Sequence, residues 1–174
     1  MGQRYIKQQS EIYGLYYMKL LLIVVGKTDN KLISQLIEEY VKRTNFYIPL
    51  ELKTLPDVKK SKKTSDKEQK TLEGDSIKKC LQPSDYVVLL DEKGKQLTSM
   101  GFAKYIENKM ISVSKRLVFV IGGSYGFSDE IKDLSNEKLS LSKMTLTHQM
   151  VRLLFTEQIY RAMTILNNEP YHHE

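Results

Sequence analysis

Five short strand-like runs alternate with five amphipathic stretches along this chain, and that alternation leaves few folds open. The runs are Leu20–Val25, Leu50–Leu55, Tyr86–Leu90, Leu117–Ile121 and Lys138–Leu141. Leu20–Val25 and Leu117–Ile121 are apolar at every position. A strand of that kind is covered on both faces, and a helix between successive strands is what parallel pairing requires. The pattern predicts an α/β domain with a mainly parallel sheet and helices on both faces.

The helices have legible starts. Thr28 or Asp29 is expected to cap the first, whose apolar stripe is Leu32, Ile33, Leu36, Ile37, Tyr40 and Val41. Ser65 with Glu68 forms a capping-box pattern that opens a second helix running toward Leu81, and Gly74 weakens its middle. Thr98 or Ser99 starts a third, with Phe102, Ala103, Ile106 and Met110 inward. Ser128 caps a short one with Ile131 and Leu134 inside. The last helix is predicted from about Thr147 to Leu166, burying Met150, Val151, Leu154, Ile159, Ala162, Met163 and Leu166, with Pro170 at or past its end. Asp91–Lys95, with Gly94, reads as a turn.

A chain of 174 residues makes one ordinary domain with a real core. None of its apolar runs approaches the ~20 residues of a membrane span, so no membrane partner is expected. Cys80 is the only cysteine. It cannot form an intrachain disulfide, fits a cytoplasmic location, and is expected to pack as a small, buried or half-buried hydrophobe. The net charge of +6 favours an anionic partner such as RNA or DNA. Lys59, Lys60, Lys62 and Lys63 either track a nucleic-acid backbone or form a solvated loop. Residues 1–17 match neither a signal peptide nor a helix, and are set apart as an extension from a core domain of residues 18–174.

Strand-to-helix exits at the carboxyl edge are where such sheets bind ligands. Gly122-Gly123-Ser124-Tyr125-Gly126 lets backbone approach a ligand closely, although its spacing is not that of a dinucleotide fingerprint. The stretch from Ser140 to Arg152 runs from small and polar residues straight into a helix, leaving backbone groups free to hold a flat heterocycle. His148 and Arg152 lie one turn apart on one helix face. There the helix end disfavours a protonated imidazole and favours an anion. The tail Tyr171-His172-His173-Glu174 offers an aromatic ring, two imidazoles and a carboxylate. No metal is expected, since the spacing of His148, His172 and His173 supports no site.

Several of these motifs together resemble one family. Ile121-Gly122-Gly123, the Leu141–Leu146 segment, Thr-His-Gln-Met-Val-Arg at 147–152, the Glu157-Gln-Ile-Tyr-Arg-Ala run and the closing Pro-Tyr-His are similar, in order and separation, to the ribosomal large subunit methyltransferase H family. Its members are 23S rRNA (pseudouridine-N3)-methyltransferases of the SPOUT superfamily. The resemblance covers Met18 to the C-terminus. It implies a SPOUT-type α/β knot, a deep C-terminal trefoil, among the rare exceptions to unknotted topology. It implies S-adenosyl-L-methionine as cofactor, held by Leu90, Gly122 and the loop Leu141, Ser142, Lys143, Met144, Thr145 and Leu146. It implies a homodimer acting on 23S rRNA in the assembled ribosome. This chain departs from many relatives at Ser124-Tyr125 in place of Pro-Glu, at Thr147 in place of Pro, and at His173 in place of Arg or Lys.

N3 of pseudouridine carries a proton and attacks poorly until that proton leaves. The expected roles follow. His148 or His172 assists proton removal, Arg152 grips RNA phosphate or stabilises developing charge, and Tyr171 positions the flipped base. Two rivals remain at this level: a non-catalytic RNA- or ribosome-binding α/β module, separable by S-adenosylmethionine calorimetry, and a flavodoxin-like nucleotide-binding protein.

Overall fold

The computed structural model describes residues 18–57 and 65–172. It contains strands β1 (Lys19–Val25), β2 (Leu50–Leu55), β3 (Asp85–Gln96), β4 (Arg116–Ile121) and β5 (Glu137–Ser140). Between and after them lie helices α1 (Lys31–Thr44), α2 (Asp66–Lys78), α3 (Ser99–Ser112), α4 (Asp129–Leu134) and α5 (His148–Leu166). The strands form one sheet in the order β2-β1-β4-β3-β5, and every pairing in it is parallel. The fold expected from the alternation is the fold found.

Side chains of β1 alternate between two cores, which is why its sequence shows no polar position after Lys19. Leu20, Leu22 and Val24 join Phe119 of β4 and Phe102, Ile106, Phe155, Ile159 and Met163 of α3 and α5. Leu21, Ile23 and Val25 join Val118 and Val120 of β4, Ile77 of α2, and Phe127 and Ile131 on the other face. Phe119 and Phe155, both fully buried, meet with ring centroids 4.7 Å apart.

Local chemistry sets the helix starts. Ser65 and Glu68 form the reciprocal capping box, Thr98 caps α3, Ser128 caps α4 and Thr147 caps α5. The first cap differs from expectation. Asn30, not Thr28 or Asp29, accepts from the Leu32 and Ile33 amides, while the Thr28 hydroxyl is engaged by Arg152. The predicted stripes also shift. Leu32 is 71% exposed and Leu36 43%, so α1 turns part of its apolar face away from the sheet. Met150 and Leu134 are likewise exposed rather than buried, and Phe155 holds the core place that periodicity did not assign. Cys80 is half-buried, as expected.

β3 does not stop at Leu90. Leu90 and Lys95 both pair with Leu139 of β5, so residues 91–94 bulge out at the sheet's carboxyl end and the strand resumes to Gln96. Gly94 makes the re-entry possible, because a β-carbon there would stand 2.5 Å from the Leu139 carbonyl carbon. The Lys59–Lys63 loop and residues 1–17 lie outside the described residues. No described helix is long and apolar enough to cross a membrane.

Candidate functional site

From β1 the chain moves outward to β2 and then returns past β1 to build β3, so the strand order reverses between β1 and β4. At such a reversal the exit loops diverge and leave a crevice beyond the strand carboxyl ends. Here the crevice holds two adjoining hollows, of about 600 and 210 Å³. The larger lies over the ends of β3, β4 and β5. Its walls include Leu90, the Asp91–Lys93 bulge, the Ile121–Phe127 exit of β4, and the segment after β5. An apolar annex of about 340 Å³ beneath Leu97, Phe102, Leu139, Leu154 and Phe155 shares Leu90, Ser140 and Leu141 with it.

The segment 141–147 gives the crevice its shape. β5 is an edge strand, whereas α5 begins beside β1, where the Asn30 amide donates to Gln149 Oε1 at 3.0 Å. The segment therefore crosses three strand spacings, about 14 Å in all, within the reach of a near-extended peptide. Ser142 shapes the crossing: its carbonyl accepts from the Ser140 hydroxyl, and its own hydroxyl accepts from the Met144 amide, both at 2.9 Å.

Seven of the eight residues expected to hold a cofactor line the large hollow: Leu90, Gly122, Leu141, Ser142, Met144, Thr145 and Leu146. Lys143 stands exposed on the same segment and is not among the lining residues. Met144 is 78% exposed at the rim. Gly122 packs under Phe127, where an added β-carbon would meet ring carbon Cε1 at 3.0 Å.

His148, the first residue of α5, is half-buried and lines both hollows. Arg152 lies one turn on but only 3% exposed. Its guanidinium donates to the Val25 carbonyl at 2.6 Å and to the Thr28 hydroxyl at 2.9 Å. Burial pulls its pKa down, against the pull of Asp57 and Asp29. These two bonds anchor the β1 exit to the start of α5, while Arg152 also lines the smaller hollow.

Tyr171 and His172 are elsewhere in the chain. Past α5 the chain doubles back, and they pack against its middle. The Tyr171 hydroxyl donates to Glu157 Oε1 at 3.2 Å, its ring stacks edge-on with Tyr160 at 4.8 Å, and Arg161 lies 3.2 Å from His172 Nδ1. Burial raises the Tyr171 phenol, with Tyr40 and Glu157 adding to the shift. Glu157 and Arg161 lie nine and thirteen residues beyond His148, about 14 and 20 Å along the helix. One chain thus holds the four expected catalytic residues in two separate places. His173 lies outside the described residues.

Sequence reasoning missed Glu73 and Gln69 of α2, which line the smaller hollow. Glu73 is 4% exposed, and a β-carbon on Gly123 would stand 2.4 Å from its Oε2. The signal was Gly74. Read as a weak point, it is a close contact instead, since a β-carbon there would meet the Ser128 hydroxyl at 2.5 Å. A buried glycine inside a polar helix marked the face that presses on the β4 exit.

Residues 18–172 match the family described as "Predicted SPOUT methyltransferase". The chain is 60% identical to ribosomal RNA large subunit methyltransferase H of Parabacteroides distasonis over 157 residues, 90% of this chain and 100% of that protein. It is 52% identical to the proteins of the same name from Porphyromonas gingivalis and Bacteroides fragilis, with the same coverage. A probable methyltransferase from Bordetella pertussis shares the fold at a TM-score of 0.53 and 10% identity, covering 92% of this chain and 99% of that one. With a parallel sheet, a ligand-sized crevice at its strand-order reversal and a match that spans every described strand and helix, this chain is a methyltransferase and belongs to the SPOUT family.

Proposed function

We propose that this chain transfers a methyl group from S-adenosyl-L-methionine to N3 of a pseudouridine in 23S rRNA of the assembled ribosome, acting as a homodimer in the cytoplasm. The observation that carries the cofactor is the crevice itself. Its size lies within the range of about 300–1,000 Å³ usual for small-molecule sites. The apolar annex fits a flat adenine, and the main hollow, with Asp91, Glu92, Lys93 and many backbone groups, fits the charged remainder. Ribosomal RNA as acceptor is supported by the names of relatives 52–60% identical over nearly the whole chain, and by the net charge of +6. The short crossing of 141–147 within the exits of β3 and β4 supports the threaded, knotted C-terminus that the resemblance implies.

When bound, the cofactor supplies a methyl group already activated by sulfonium. The residues of this chain have the other tasks. Leu90, Gly122 and the 141–146 segment hold and orient the donor. His148, on the wall between the hollows, is placed to accept the N3 proton as the acceptor ring approaches. Arg152 keeps the β1 exit, and with it that wall, in position.

Tyr171 and His172 serve the same reaction across the dimer. A two-fold axis near α5 would bring the tail of one subunit toward the crevice of the other. Leu32, Leu36 and Met150, exposed where α1 and α5 run side by side, supply an apolar face for that contact. The test is calorimetry with S-adenosylmethionine, followed by transfer of labelled methyl to ribosomes from cells lacking this enzyme. The expected product is a methylpseudouridine in 23S rRNA. Saturable binding without transfer would leave a cofactor-binding module and end the enzymatic assignment.

A further inference from the structure

The smaller hollow has a chemistry of its own. It lies between the ends of β1 and β4, with Val25 and Gly26 on one side and Gly123 and Ser124 on the other. At about 210 Å³ it is below the usual size for a whole cofactor but adequate for one ring. It shares His148, Gly123 and Ser124 with the larger hollow, so a ring here would sit against whatever the larger one holds.

Among the described residues, five buried side-chain nitrogen or oxygen atoms lack a hydrogen-bond partner, and three of them belong to side chains lining this hollow. They are Glu73 Oε2, Gln69 Oε1 and Arg152 Nε. Among the described residues, the Glu73 carboxyl is bonded by the Gln69 amide alone, which donates to Oε1 at 3.0 Å. A buried, half-satisfied acid is costly, by about 1–3 kcal/mol for each unmade bond. Concentrating three such atoms at one cavity is expected where a ligand completes them.

Of these atoms, the Glu73 acceptor and the Arg152 donor complement a ring edge that carries an N–H beside a carbonyl, which leaves the N–H on the carbonyl's other side free to react. Pseudouridine has that edge: its C-glycosidic bond leaves N1–H free, flanking C2=O and N3–H. When uridine is laid over it with N3 and the sugar in common, a C–H stands where N1–H was. We propose that this hollow receives the target pyrimidine and that Glu73 accepts its N1–H, so that Glu73 sets the preference for pseudouridine over uridine. The assignment rests on the methyl-transfer reading above and adds to it the residue that reads the base. A site built to accept a hydrogen bond rejects an analogue lacking the donor far better than an apolar pocket rejects a change of shape. Gly123 fits the same purpose, since any side chain there would push Glu73 out of place.

The test compares two ribosome preparations from cells lacking this methyltransferase, one with pseudouridine at the target and one with uridine there. Wild-type protein is expected to label the pseudouridine ribosome about 10-fold faster or better. Glu73→Gln should lose about 10-fold on pseudouridine, change less than about 2-fold on uridine, and bind S-adenosylmethionine as wild type does by calorimetry. A purely structural role would lower both rates together. Equal loss on both ribosomes, an unchanged preference, or a parallel loss of cofactor affinity would each overturn the assignment. If Glu73→Gln does not fold, Glu73→Asp gives the same comparison, since it withdraws the acceptor while keeping its charge. Wild-type protein that labels neither ribosome would instead bring down the methyl-transfer reading, and this assignment with it.

Discussion

Arg152 on α5 donates a 2.6 Å hydrogen bond to the carbonyl oxygen of Val25, the last residue of β1, from a site 3% open to solvent. The two residues are far apart in sequence, and the bond pins the start of the last helix to the end of the first strand. Both hollows depend on that junction, because β1's exit walls one and the 141–147 crossing walls the other.

Arg152→Ala is therefore expected to reduce stability by about 1–3 kcal/mol, by leaving the Val25 carbonyl and Thr28 hydroxyl unpaired. Urea unfolding of the purified variant measures this through its midpoint. A variant as stable as wild type but slow in methyl transfer would point to direct action on substrate.

Gly122→Val should close the large hollow from within. Even a β-carbon there meets Phe127 at 3.0 Å, so a branched side chain must displace the ring or fill the space beneath it. Affinity for S-adenosylmethionine is expected to fall about 10-fold or more with the fold retained. Calorimetry alongside circular dichroism reads the two effects separately.

Complementation tests the site shared between subunits. His148→Ala and Tyr171→Ala are each expected to lose most activity alone. Mixed after reversible dissociation, they should regain about a quarter of wild-type activity, because half the dimers are mixed and each of those has one intact site. No recovery from well-mixed dimers would place both residues in one subunit's site. Leu36→Glu, on the exposed α1 face, should shift the protein toward monomer in sedimentation velocity.

Glu137 gives the fold an acid-sensitive joint. Burial pushes its carboxyl pKa up, but hydrogen bonds from Lys109 and Tyr86, with the Lys109 charge, outweigh this and hold it below its ordinary 4.5. Lys109 Nζ lies 2.7 Å from it, tying α3 to the start of β5. A lowered folded-state value means that the stabilisation is complete above about 4.5 and is lost as pH falls through the folded value. Glu137→Gln should lower stability at pH 7 and flatten the decline below about pH 4.5. Denaturant midpoints across that range check both parts.

The layered sheet was legible because each local signal agreed with the global one. An unbroken apolar run such as Leu117–Ile121 has no stable place except between two helical layers. The capping box at Ser65 and Glu68 is complete within four residues, so nothing distant was needed to recognise it. Leu32, Leu36 and Met150 were misplaced because a 3.6-residue period says that a face is apolar, not what covers it.

The sequence by itself determined the strands, most helix starts, the parallel sheet, and the small-residue segment that walls the larger hollow. All of these rest on interactions between residues close in the chain or on burial that repeats with a regular period. Only the tertiary structure decided that Arg152 is an anchor, that Glu73 faces Gly123 across a hollow, and that Tyr171 lies far from His148. Those outcomes depend on which strand ends adjoin and on where a crossing segment lands. No local pattern encodes such distances, because they arise from packing between elements widely separated in the chain.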